Sequence, residues 1–192
     1  MNKRFSVLSV IGICLVVVSL LLTAALVLLG RWGNDHCERL AAEMERLLPE
    51  RSVGVPGSED GMPVLQLDGE DFVALLEIPS CGMRLPVADA WDGSGIHGVP
   101  TRFCGSAYDH TLVIGGADDP RQFGFCDEIG HGEVVTVTDM TGAVFTYEVC
   151  RIDRSKTAEA QWLAKDGFDL TLFCRGLYSM EYIAVRCTFS GR

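Results

Sequence analysis

Hydrophobic residues are spread along this chain in two different patterns. The first is a continuous run. From Phe5 to Gly30, "FSVLSVIGICLVVVSLLLTAALVLLG" contains no charged residue. A helix rises 1.5 Å per residue, so about 20 apolar residues cross the hydrocarbon core of a bilayer. A cleaved signal peptide has an apolar stretch of only about 7–15 residues. This run is longer, and the small residues Thr23 to Ala25 are followed by more Leu and Val. The pattern predicts an uncleaved anchor over 5–30, behind a basic end, 1–4, that carries Lys3 and Arg4. Basic residues ahead of the span keep the N-terminus cytoplasmic and send the remainder outward. Next, Leu40, Met44, Leu47 and Leu48 recur at helical spacing between a capping Asp35 and Pro49. They predict a juxtamembrane helical stem within 31–50. The Gly-, Pro- and acid-rich stretch 51–70 reads as a linker.

The second pattern occupies 71–192 and is that of strands. "FVALLEIP" is an apolar strand ended by proline. "MRLPVAD" is interrupted by Pro86, which suits an edge. "TLVIGG" is dense enough to be buried. "EVVTVTD" alternates, and "MTG" turns it into a second long alternating strand, "AVFTYEVCRI". The glycine of that turn can take the positive φ a hairpin needs. "AEAQWLAKDG" predicts a single short helix with glycine after it. "DLTLFC" and "EYIAVRC" close the series. Seven or so strands with one short helix predict an all-β barrel or sandwich.

Charge narrows the class of partner. The formal net charge is -10, and Lys and Arg do not cluster beyond the first few residues. A nucleic-acid surface needs such a cluster to displace counterions, so nucleic acid is not an expected partner. Seven of the eight cysteines follow the apolar run. An exported domain can oxidise cysteines, and an odd number leaves at least one thiol over. No C-x-x-C occurs and no Cys/His spacing suits zinc, so neither a metal nor a cofactor is expected.

In this order the segments resemble the sortases, membrane-anchored cysteine transpeptidases of bacterial surfaces. The resemblance is carried by "ALLEIPSCGMRLPV", "GSAYDHTLVIGGADDPRQFGF", "GEVVTVTDMTGAVFTYEV", "DLTLFC" and "YIAVRC". It implies a closed β-barrel of about eight strands over 71–192, held on the outer face of the cell membrane by a single span. It also implies a chemistry. A thiolate attacks the carbonyl of a sorting signal in a client surface protein. A histidine protonates the leaving amine, and an arginine steadies the oxyanion or positions substrate. The acyl-enzyme is then resolved by an amine, such as that of a cell-wall precursor. Each role has a general reason. The thiol needs its charged form in an electropositive setting, and amine exchange needs proton transfer.

Residue by residue, the resemblance does not carry the site over. The family histidine follows a "VI.G" pattern, and in "VIGGAD" that position is Ala117. The family nucleophile stands in a "TL.TC" pattern. Here "TLFCR" places Arg175 at that position and Cys174 one residue early. A one-residue shift turns a side chain to the opposite face, unless a bulge re-aims it. The family arginine opens the last strand, where Glu181 and Tyr182 stand; Arg186 lies beyond the apolar triplet. Cys174 can therefore be a nucleophile, a buried thiol or half of a disulfide with Cys187. His97, in the loop "DGSGIHGVP", is the candidate substitute acid. His110 falls at the other end of its strand from Ala117, and His131 lies in a turn.

Two functions follow. One is a degenerate sortase, a surface module that binds peptides or scaffolds without transpeptidation, with Arg175 as a carboxylate-binding cation. The other is an active, divergent sortase, a transpeptidase or hydrolase working through a Cys174 acyl-enzyme. Its electrostatic partner would be Arg175 or Arg186, and its acid His97 or no histidine at all. A disulfide-stapled extracellular β-domain is a third expectation, set apart by its oxidised cysteines.

Overall fold

The structure, a computed structural model, describes residues 7–54, 61–89, 98–164 and 167–191, without side-chain detail for 7–10 and 26–36. The chain divides into two compact units, Met1–His36 and Cys37–Arg192. One helix, α1 (Val7–Leu47), contributes to both. In the first unit its described side chains are exposed, apolar ones such as Ile11, Ile13, Leu15, Leu20 and Leu22 included. Thr23 hides its hydroxyl by donating to the Ser19 carbonyl at 2.9 Å. Among the described residues no helix is long and apolar enough to cross a membrane.

The second unit begins with the last turns of α1. Cys37, Leu40, Ala41 and Met44 are buried, while Leu47 is 55% exposed. The buried stripe thus starts one turn earlier than Leu40, Met44, Leu47 and Leu48 predict. It packs on Phe72, Ala88 and Val99. The helix stops before Pro49, and 51–70, expected to be a linker, includes β1 (Ser52–Val53) and β2 (Leu65–Leu67).

Eight further strands close on themselves. They are β3 (Glu70–Ile78), β4 (Met83–Ala88), β5 (Thr101–Cys104), β6 (Leu112–Gly115), β7 (Val134–Asp139), β8 (Ala143–Ser155), β9 (Leu170–Arg175) and β10 (Tyr182–Phe189). The circuit runs β3-β4-β5-β6-β9-β10-β8-β7 and back to β3. Every neighbour is antiparallel except β4–β5 and β6–β9. This is the closed eight-stranded barrel that the resemblance implies. Closure leaves no open edge in the ring. β2 adds to β3, and β1 lies parallel on β8.

The strands form where the alternation predicts them, except β5. Its four residues, "TRFC", carry too little periodicity to read. Pro86 pairs with Leu75 on one side. On the other, β4 meets β5 only at Ala88, so Pro86 lacks an amide where no ladder asks for one. In the β7–β8 hairpin Gly142 has φ +82°. A Cβ there would also stand 2.9 Å from the Glu50 carbonyl oxygen. Only glycine meets both demands.

The barrel is filled by alternate side chains, among them Val73, Leu76, Val137, Tyr147, Leu172, Cys174 and Val185. A smaller core lies on the outer face, where α2 (Ala160–Leu163) covers Val113, Phe173 and Ala184. Arg186 ties it down and is fully buried. Its guanidinium donates to the carbonyls of Leu163 (2.6 Å) and Trp162 (2.5 Å), to Thr171 Oγ1 (3.0 Å) and to Asp153 Oδ2 (3.4 Å). It also faces the Trp162 ring at 5.0 Å. Burial pulls its pKa below the ordinary arginine value, and the Asp153 carboxylate opposes that. An arginine this buried persists because its donors are used.

Replacing it exposes the cost. Arg186→Leu takes a donor from the Leu163 and Trp162 carbonyls and from Thr171, leaves Asp153 with Arg151 as a remaining partner, and should destabilise the chain by about 3–5 kcal/mol. Arg154→Ala removes a solvent-exposed pair with Asp127 and should cost under about 1 kcal/mol. Denaturant unfolding of both variants against the parent checks the contrast.

Candidate functional site

The ends of β6, β9 and β10 meet on the outer face of the barrel. β6 and β9 are parallel, with Gly115 beside Phe173. The Gly116 amide extends this ladder by donating to the Phe173 carbonyl at 3.0 Å. The ladder ends there, with Ala117 two residues past the end of β6 and Arg175 the last residue of the neighbouring β9. Across β10, Arg175 pairs with Tyr182, and its guanidinium carbon lies 5.7 Å from the tyrosine ring centroid. Arg175 and Tyr182 thus face each other across the β9–β10 pair.

The surrounding loops are well tied. The Ala117 amide donates to Gln122 Oε1 at 3.0 Å, and its carbonyl accepts from the Phe123 amide at 3.0 Å. Asp118 Oδ2 accepts the Leu177 amide at 2.7 Å, joining the connection after β6 to that after β9. Asp119 makes a two-pronged pair with Arg121, through Nε and Nη2 at 2.7 Å each. These hydrogen bonds hold the Asp119 carboxyl below its ordinary range. The β9–β10 connection presents Leu177, Tyr178 and Met180 to solvent, Tyr178 completely.

Cys174 does not reach this face. Neither the β9–β10 nor the β6–β9 register shifts anywhere along β9, so no bulge re-aims it. Leu170, Leu172 and Cys174 point into the barrel, and Arg175 points out to solvent. Cys174 is 1% exposed, and its thiol lies 3.6 Å from the Phe123 carbonyl oxygen as donor. Pairing with Cys187 is ruled out by register. Cys187 faces Leu170 and Cys174 faces Ile183, four residues apart along the strand. That is about 13 Å at 3.3 Å per residue, against the roughly 7 Å a disulfide allows. The described cysteines are all free thiols.

The other candidates lie elsewhere. Arg186 is enclosed in the network beneath α2. Glu181 is half-buried at the start of the last strand, and its carbonyl accepts the Gly176 amide at 2.8 Å. His110 Nδ1 lies 3.3 Å from Asp169 Oδ1, at the opposite end of β9 from Arg175. His131 is exposed in a turn. His97 lies outside the described residues. Among the described residues no group of three or more His, Cys, Asp and Glu could hold a metal ion.

The architecture is shared with solved structures. Sortase A of Corynebacterium diphtheriae matches with a TM-score of 0.53 and 18% identity, over 81% of this chain and 83% of that one. Sortase C-1 of Actinomyces oris matches with a TM-score of 0.54 and 21% identity, over 79% and 96%. A Clostridium perfringens sortase D5 transpeptidase matches with a TM-score of 0.53 and 17% identity, over 62% and 79%. This is the sortase fold. No protein-family model and no curated sequence matches the chain, so the likeness is one of architecture. On this sortase-fold barrel the outer site offers an exposed guanidinium, an aromatic ring and an apolar rim. Arg175 can take a carboxylate in a bidentate pair. Among the described residues neither a thiol nor an imidazole stands beside it.

Burial raises the Cys126 and Cys187 thiols above their ordinary value. In the reduced chain, Cys81 and Cys150, both exposed, should alkylate first. Cys126, Cys174 and Cys187 should react about 100-fold more slowly, limited by opening of the barrel. Mass-spectrometric time courses with and without denaturant read the difference.

Proposed function

We propose that this chain is a membrane-anchored, extracytoplasmic sortase-fold domain that binds peptide segments of surface proteins without transferring them. One observation carries the reading: Arg175 points outward at the position where the resemblance places a thiolate, and the position to which it gives an imidazole is Ala117. An acyl transfer needs a nucleophile and a proton donor at one point. The supporting geometry is the unbroken register of β9, which sends Cys174 inward. Arg186, the remaining family-like candidate, spends its donors on backbone and side-chain acceptors of its own chain.

The ligand we infer is an extended peptide with a carboxylate. Arg175 takes the carboxylate, and Leu177, Tyr178 and Met180 give apolar contact beside it. The anchor is the uncharged run from Phe5 to Gly30, with Lys3 and Arg4 on the cytoplasmic side. Two features support it: exposed apolar side chains along α1, and the internally satisfied hydroxyl of Thr23, as a lipid setting requires.

The test uses the full-length protein in detergent. Peptides with a free C-terminal carboxylate should bind, their amidated forms should bind about 10-fold more weakly, and Arg175→Ala should erase that difference. With hydroxylamine as acceptor, no peptide cleavage should accumulate. Cleavage that disappears in Cys174→Ala would overturn the proposal in favour of a divergent enzyme.

A further inference from the structure

The barrel interior holds a second cysteine next to the first. Cys126 sits in the 3₁₀ turn Gly124–Asp127, within the connection from β6 to β7. It is fully buried, and Cys174 is 1% exposed. A single carbonyl oxygen serves both residues. Phe123 O accepts the Cys126 amide at 3.0 Å and the Cys174 thiol at 3.6 Å. The turn that carries Cys126 also packs directly against β9. Both belong to the main apolar core. No other described cysteine shares this arrangement. Cys187 lies opposite Leu170, four residues along β9 from Cys174, and the Cys150 thiol is turned to the Arg186 carbonyl.

We propose that Cys126 and Cys174 are a disulfide site, which when oxidised staples the connection after β6 to β9 behind the Ala117–Arg175 face. Oxidation takes two electrons and releases two protons. The oxidant is a disulfide, carried by a thiol–disulfide oxidoreductase or a small molecule. One cysteine thiolate attacks it, breaks its S–S bond, forms a mixed disulfide and expels one oxidant sulfur as thiolate, which takes up a proton. The second cysteine then displaces the oxidant's remaining sulfur as thiol, and one S–S bond is left in the protein. Neither sulfur is open to a large oxidant in the closed barrel, so the bond forms as the chain folds or when the connection after β6 opens. The long loop from 126 to 174 is then closed covalently, which restricts the unfolded chain. The bond fixes the segment that carries Ala117 and Asp118, and it removes Cys174 from any thiol chemistry.

The experiment reads the bond directly. Full-length protein is refolded in oxidised and reduced glutathione, quenched in acid, alkylated in denaturant and digested without reduction. A cross-linked peptide pair containing Cys126 and Cys174 is expected after oxidation. The thermal midpoint should rise by roughly 10 °C over the reduced chain. Cys126→Ala and Cys174→Ala should each lose both the pair and the rise. Alkylated Cys126 and Cys174 in the oxidised sample, or their linkage to other cysteines, would overturn the proposal. Neither readout depends on peptide binding, so the result stands apart from the function proposed above.

Discussion

A β-strand gives its side chains to two faces in turn, and in β9 that alternation governs everything near the candidate site. Leu170, Leu172 and Cys174 fill the barrel. Thr171 and Phe173 turn outward beneath α2, and Arg175 reaches solvent. Shifting the strand by one residue would put an arginine in an apolar core and leave leucines on the surface. Both changes are heavily unfavourable, and pairing with two neighbours makes the shift harder still. The orientation of Cys174 is thus held by the whole interior of the barrel.

The outer face depends on a second constraint. Barrel interiors close by apolar burial, but α2 is only four residues long and has little surface to bury. Arg186 compensates by gathering backbone carbonyls of that helix, a threonine of β9 and an aspartate of β8 around one guanidinium. Four of its five N–H donors are engaged in this way.

These constraints divide a sortase-fold barrel into a dry interior and a re-equipped outer site. The interior keeps two thiols together around the Phe123 carbonyl. The outer face sets the cation of Arg175 against Tyr182. Asp118 ties the two loops that frame it. An anion-binding face is what such parts can make.

Much of this was legible in the residues themselves. Period-two alternation and glycine or proline stops marked nearly all the strands, because half-burial imposes that spacing wherever a sheet covers a core. The opposite facing of Cys174 and Arg175 could be read from period-two alternation alone. The absence of a bulge in β9 could not, because a bulge is a relation between two strands. β5 was too short to show a period. The burial of Arg186 depends on Trp162, Leu163, Thr171 and Asp153, which reach it only once β8, β9 and β10 are paired. The approach of Cys126 to Cys174 joins the β6–β7 connection to strand β9. Local pattern records which face a residue prefers; only closure of the barrel decides which residues share it.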